Sequence, residues 1–538
     1  MDPKTHLEPT STVGEVLDAI PASLGVFHAL GADTCCGRRL SIEEVARAHG
    51  MPVADLLARV SGSAREAPAS GGVRSERLAV LQTPPAPATA ERPSAESDRA
   101  TTGRRPSPIY RPFLTAALWC TMTLGASFGA YNLLVIHLAL GPVPPAHNWI
   151  HGAFQVTGFL LLFIMGISYH VFPRLLGTTL TRPALARGTF WLALGGLLLR
   201  GYGYWEPLVP FAAQATALGL GLQAAAVVGW ATVLVTSTRS ALHGRDLFLG
   251  FAVGGTFWWL VAAALLLAGA ATSLAAGDGE AAARWNEAIY LAALTGGALF
   301  WIQTILSRTG PAFLSLPPAR AGHLRGALLL EHAGAAASVI GASFVGHGWS
   351  APLRDIGLLG TGAGIVLFTM GVRVFARPAG PLPIGDPDFP KAVRMAFVSA
   401  LLFVLLGAGY AFADLLGLQP PRLLLDGARH AFALGFVSLM IFGYAGRIVP
   451  NFLATDLRWR RLRAWGIRMI AVAVLLREMQ VAAVLLRAPE FLAVSGPSGV
   501  LAAAGVCMAG ASILGTLGRS ARPAPRGLQA VPAIRQIR

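Results

Sequence analysis

Over most of this chain the apolar residues come in long unbroken blocks instead of alternating with polar ones. Windows of about 20 apolar residues, the length a helix needs to cross a bilayer, recur twelve times: 113–140, 147–173, 187–205, 208–236, 246–272, 286–308, 326–347, 353–375, 392–417, 424–447, 464–487 and 492–517. Backbone N–H and C=O groups find no water in hydrocarbon, so each block is expected to be helical. The pattern predicts an all-α, twelve-span membrane domain over residues 111–520, followed by a tail at 521–538. The beginning of the chain reads differently. Thr12-Val-Gly-Glu15 and Ser41-Ile-Glu-Glu44 both have capping-box spacing, each opening an amphipathic stretch. Residues 1–60 are therefore expected to form a small soluble helical domain. Residues 61–110, rich in Ser, Ala, Pro, Arg and Glu and almost without aromatics, predict a disordered linker.

Composition agrees. Of 538 residues 54% are hydrophobic and 13% charged, about half the charged fraction of a soluble protein, and mean hydropathy is +0.57. The 62 glycines suit helices that pack closely in lipid. A net charge of +16 would point a soluble domain towards nucleic acid. Here the basic residues crowd into alternate loops, such as "PRLLGTTLTRPALARG", "STRSALHGRD" and "PNFLATDLRWRRLRAWGIR", while "GPVPPAHN", "WEPLV" and "HGWSAP" carry little or no positive charge. That asymmetry is the positive-inside rule. The partner it implies is the lipid bilayer and not nucleic acid, and it places both termini in the cytoplasm. The first hundred residues contain no apolar run of signal-peptide type. Of the four cysteines, Cys120 and Cys507 stand alone within spans and Cys35-Cys36 are adjacent, which is no disulfide framework. The cytoplasm keeps such thiols reduced.

Three segments share a pattern: "GFLLLFIMGISYHVFPRLL", "GGALFWIQTILSRTGPAFL" and "GFVSLMIFGYAGRIVPNFL". Aligned on Pro173, Pro311 and Pro450 they are offset by 138 and 139 residues; Gly158, Gly296 and Gly435 coincide, as do His170, Arg308 and Arg447. Four spans per repeat is an even number, so the three repeats insert in one orientation. This predicts a pseudo-threefold domain of four-helix repeats, in which each proline closes its helix at the cytoplasmic face.

Topology sorts the histidines by depth. His147 and His151 open span 2 at its outer end, one turn apart. His430 opens span 10 at the same level, and His137 and His347, ending spans 1 and 7, join that layer. His170 lies 19 residues beyond His151, about 28 Å along a helix, and His332, beside Glu331, lies towards the inner end of span 7. Imidazole suits haem iron and copper. Two neutral imidazoles from facing helices, His151 and His430, would hold a b-type haem, with the small residues Gly152, Ala153, Ala428 and Ala431 leaving room for a flat macrocycle. His147, His137 and His347 are candidate metal ligands, for which copper is the natural ion. Arg429 or Arg200, at similar depth, would neutralise propionates. Glu478, beside Arg477 near the middle of span 11, needs a partner on another span or a proton, so a structural ion pair and a proton-linked role both stand. There is no C-x-x-C-H for covalent haem attachment.

The segments "HNWIHGAFQVTGFLLLFIMGISYHVFPRLLG" and "RHAFALGFVSLMIFGYAGRIVPNFLA" resemble the NnrS family of twelve-span bacterial proteins. That resemblance, over about 400 residues, implies a haem- and copper-associated inner-membrane protein of nitric oxide metabolism or nitrosative-stress defence. The stretch from His430 to Pro450 carries most of it. That family often opens span 2 with a His-x-His cluster, whereas His147 and His151 here are four apart. "TVGEVLDAIPASLGVFHALGADTCCGRRLSIEEVA" resembles the N-terminal domain of ScdA/YtfE-type iron–sulfur cluster repair proteins, without the di-iron domain that follows in those. Cys35 and Cys36 are too few to close a metal site. A helix start near Ser41 together with Arg38 and Arg39 favours the thiolate, so the pair is expected to be a redox or exchange site; a merely structural role is the alternative. Two other classes stay open. A haem–copper oxidase or nitric oxide reductase core also has twelve spans with histidines on spans 2 and 10, but it uses an adjacent His-His pair that this chain lacks. A haem-free transporter could equally be built from parallel repeats. Catalytic turnover and oligomeric state are not legible in the sequence.

Overall fold

Both predicted capping boxes form. In the computed structural model α1 (Val13–Ala19) begins where Thr12 N–H donates to Glu15 Oε2 at 2.8 Å and Glu15 N–H donates back to Thr12 Oγ1 at 3.2 Å. The start of α2 (Ile42–Ala48) repeats the arrangement, Ser41 N–H to Glu44 Oε2 at 2.8 Å and Glu44 N–H to Ser41 Oγ at 3.1 Å. Thr12 and Ser41 form an antiparallel bridge, which ties the two helix starts together. With α3 (Val53–Ser63) they close around Val13, Val16, Phe27, Ile42, Val45, Leu56 and Val60. The structure describes residues 7–20, 23, 26–27, 41–48 and 51–63, then 108–519 apart from 177, 206–207, 240–246, 379–385 and 454. Cys35 and Cys36, nearly all of the expected linker and the tail at 521–538 lie outside the described residues.

The remainder is helical. The first repeat supplies α4 (Tyr110–His137), α5 (Pro145–Leu175), α6 (Pro183–Gly203) and α7 (Ala212–Thr238). The second supplies α8 (Leu247–Ala276), α9 (Glu280–Phe313), α10 (Ala321–Ser343) and α11 (Ser350–Val372). The third supplies α12 (Phe389–Leu415), α13 (Arg422–Leu453), α14 (Arg460–Arg477, resuming as Met479–Leu485) and α15 (Glu490–Leu517). Among the described residues nine helices are long and apolar enough to cross a membrane. This is a multi-pass, all-α membrane protein. The other three helices are α6, α10 and α14, the third of each repeat, and they carry much of the buried charge: Arg200, Glu331 and Arg463.

The repeat seen in the sequence reappears in the backbone. Each second helix loosens into a π-helical stretch, Phe154–Leu160, Ala292–Ala298 and Ala431–Ser438, again offset by 138 and 139 residues. π-Helix is rare, so three coincident stretches are a strong sign of shared architecture. Helix contacts repeat too. Gly196 of α6 meets the carbonyl of Gly219 on α7, and the equivalent Gly334 of α10 meets that of Gly357 on α11; a Cβ on either would lie 2.6–2.7 Å from the facing oxygen. Two expectations are corrected. Pro173, Pro311 and Pro450 do not end their helices but sit inside the last turn, which runs on to Leu175, Phe313 and Leu453. The freed carbonyl falls near a helix end, where it costs least. Span 11 is not continuous, because Glu478 caps one segment and starts the next.

Candidate functional site

Helices α5 and α13 occupy equivalent places in repeats one and three, and each starts behind a proline pre-set for a helix start: Pro144-Pro145 and Pro421. His151 lies two turns in, three residues before the π-helical stretch; His430 immediately precedes its own.

The His151 ring lies against Gly129 of α4, where a Cβ would come within 2.6 Å of Cε1. Its Nδ1 is 2.5 Å from the carbonyl oxygen of Gly125. A carbonyl only accepts, so Nδ1 carries the hydrogen and Nε2 keeps a free lone pair. His430 repeats this on its own helix: Nδ1 donates to the Asp426 carbonyl at 2.9 Å, with the Asp426 carboxylate 3.4 Å away. Anchoring one ring nitrogen so that the other faces outward is the usual second-shell arrangement of a metal-ligating histidine. His332 is oriented oppositely. Trp258 Nε1–H, which can only donate, points at His332 Nδ1 at 3.1 Å, so Nε2 holds the hydrogen in the neutral ring.

The other histidines are more scattered. His147 stacks on Phe128, ring centres 4.5 Å apart, with Tyr131 and Trp205 edge-on. Its Nδ1, like that of His137, is buried without a hydrogen-bond partner. His347 donates from Nδ1 to the Phe344 carbonyl at 3.0 Å and packs with Phe344 and Trp349. Among the described residues no three His, Cys, Asp or Glu side chains converge on a metal position; His147, His137 and His347 are not brought together as a set. The small residues beside the two ligand candidates do not leave a bare face either. A Cβ on Gly152 would lie 2.5 Å from Tyr290 Oη, and Ala153, Ala428 and Ala431 are fully buried. They serve close helix packing.

Charged groups surround His430. Arg477 donates to Asp426 Oδ2 at 2.5 Å and Gln480 Nε2 to the same oxygen at 3.2 Å. This supplies the partner on another span that Arg477 needs. Glu478 abuts Gly427 of α13, and neither of its carboxylate oxygens has a hydrogen-bond partner. The sequence reading missed Asp426 and Gln480. Asp426 had a signal, because it lies four residues before His430 on one helix face; Gln480 had none. Arg429 pairs with Glu287 at 2.5 Å and is half exposed. Arg200 is fully buried and donates only to neutral oxygens: Tyr204 Oη at 2.9 Å, Gln223 Oε1 at 3.3 Å and Asn286 Oδ1 at 2.7 Å.

No family model and no curated protein matches this chain. Among solved structures it is similar to the cryo-EM structure of a heme-copper terminal oxidase dimer, with a TM-score of 0.57 and 14% identity over 77% of this chain and 85% of that one. At that identity the likeness is one of fold. The chain has the helical membrane architecture of a heme-copper terminal oxidase.

Proposed function

We propose that this protein binds a b-type haem between His151 and His430 and acts, in a bacterial inner membrane, in nitric oxide metabolism or nitrosative-stress defence. The observation that carries the haem assignment is the matched pair of anchored Nδ1 atoms, which leaves an Nε2 lone pair on each ring. Two imidazoles with Nε2 left unprotonated are of the kind that would hold haem iron, and the oxidase-like fold supports the same class of cofactor. When bound, the haem would supply an iron centre able to take up or give up an electron. The chain's own part is to fix both tautomers, with Asp426 and Gly125 as the fixing groups. Of the two arginines assigned to propionates, Arg429 already has Glu287, whereas Arg200 has only neutral partners and so has charge left to balance. For copper the candidates remain His147, His137 and His347. Helices α6, α10 and α14 are taken to cross the membrane with the other nine, giving twelve spans with both termini in the cytoplasm.

The nitric oxide role is supported by the resemblance of both halves of the chain, to NnrS and to ScdA/YtfE-type proteins, with Cys35 and Cys36 as the thiol pair exchanging NO, iron or electrons. A second reading, an oxidase or nitric oxide reductase-like enzyme core, is favoured by the fold alone. Optical spectra of the purified protein, oxidised and reduced, test the proposal. A low-spin haem spectrum is expected, and a protein isolated without haem would favour the transporter.

A further inference from the structure

Helices α9 and α10 share one polar contact deep in the second repeat. Glu331 is fully buried, and Gln303 Nε2–H donates to its Oε1 at 2.6 Å. The other two oxygens of the pair, Glu331 Oε2 and Gln303 Oε1, are both buried and both without a partner. Two orphaned acceptors on paired planar groups lack a single donor between them. A proton on Oε2 turns the carboxylate into an acid whose O–H can serve the amide oxygen, closing a cyclic acid–amide pair. An ionised carboxylate there would be an uncompensated charge in the membrane interior. Around it, α9 offers Gln303 and α11 offers Gly364, where a Cβ would meet Glu331 Cγ at 2.3 Å. The titratable neighbour on its own helix, His332, is engaged by Trp258 of α8 instead. Among the described residues Glu331 has Gln303 as its hydrogen-bond partner and makes no ion pair.

The threefold repeat provides an internal control. At the places equivalent to Glu331 and Gln303 the first repeat has Ala193 and Met165, and the third has Ile470 and Phe442, all buried. The same helix pair therefore packs twice with apolar side chains, and the fold does not require the acid or the amide. We infer that Glu331 and Gln303 form a buried proton-binding site in the second repeat, with Glu331 carrying the proton. This does not depend on the haem assignment.

The test uses the full-length protein in liposomes and a hydrophobic carbodiimide, which modifies protonated carboxyl groups in apolar surroundings. Mass spectrometry should find the adduct on Glu331, absent in Glu331→Gln and unaffected by sodium. Protection by sodium would overturn the proposal in favour of a cation site. Should the reagent fail to reach Glu331, the infrared spectrum decides. A protonated-carboxyl carbonyl band lost in Glu331→Gln supports the site, and no such loss refutes it. The double variant Glu331→Ala, Gln303→Met, which copies the first repeat, should insert and melt like the parent while lacking that band. A double variant that fails to insert would show that the pair holds the repeat together and would overturn the inference.

Discussion

Repeats one and three differ from repeat two in where they place their polar groups. At the start of the second helix, repeats one and three carry His151 and His430, whose counterparts in repeat two are Ile289 and Leu291. On the third helix Arg200 and Arg477 are equivalent, and repeat two has Ser338 there. Repeat two has instead Glu331 and Gln303, at places where the other repeats are apolar. The shared architecture is thus one scaffold carrying two separate sets of chemistry. An intramembrane ionisable group costs several kcal/mol unless paired or neutral. Its appearance in one copy of a repeat and not another therefore marks function more clearly than burial alone does.

The largest effect that would break this comparison concerns the histidines. His430→Ala and His151→Ala should each abolish or shift the low-spin haem spectrum while the protein still inserts. His332→Ala should leave the spectrum unchanged, because its Nδ1 accepts from Trp258 and its Nε2 carries the hydrogen. A loss in His332→Ala with no change in the other two would move the site into repeat two.

A smaller effect isolates the fit around His151. Gly129 has Leu267 and Leu406 as its counterparts, so only repeat one leaves room for a ring there. Gly129→Ala puts a methyl within 2.6 Å of His151 Cε1. Overpacking of this kind costs roughly 1–3 kcal/mol, and the imidazole must turn away from the Gly125 carbonyl. A lower melting temperature together with a weakened haem band is expected; an unchanged band would show that His151 does not depend on this seat.

The general plan was legible in the sequence because it is written in long-range regularities. The apolar blocks, the offsets of 138 and 139 residues and both capping boxes each depend on spacing along the chain, and each has its counterpart in the structure. The histidines could be grouped by their place along the helices but not resolved into a site. Which rings converge depends on side-chain direction, as with His151 turned onto Gly129 and His147 enclosed by Phe128, Tyr131 and Trp205. The role of the small residues was misread for the same reason: Gly152 is small to admit Tyr290 from a helix 138 residues further on, which no local pattern records. The break at Glu478 lay hidden because Arg477-Glu478-Met479-Gln480 contains neither glycine nor proline.

The third effect separates the two equivalent arginines. Arg477→Met leaves Asp426 with only His430 and Gln480. Breaking a fully buried pair costs about 3–5 kcal/mol. The Asp426 side chain is 36% exposed, so solvent screening reduces the expected loss to about 1–2 kcal/mol. Thermal unfolding in detergent followed by circular dichroism would register it, and a loss within error would mean that Arg477 contributes no structural pairing.

The smallest stability effect is expected at Arg200, although it is the more deeply buried of the two. Arg200→Met removes a cation that no carboxylate balances among the described residues and replaces it with an apolar chain of similar length. Tyr204 Oη still donates to Asn286 Oδ1, at 3.3 Å, and Gln223 Nε2 still donates to Thr157 Oγ1, at 3.2 Å. The neutral groups therefore keep some of their partners, and the relief of desolvating a guanidinium offsets what they lose. The net change in stability should lie within about 1 kcal/mol. What should change is the haem, on the reading that Arg200 faces a propionate. Removing a buried positive charge favours the ferric state, so the reduction potential should fall while the spectrum keeps its low-spin form. A large loss of stability with an unshifted potential would make Arg200 structural. At this position the first and third repeats would then differ only in the partner chosen for the same arginine.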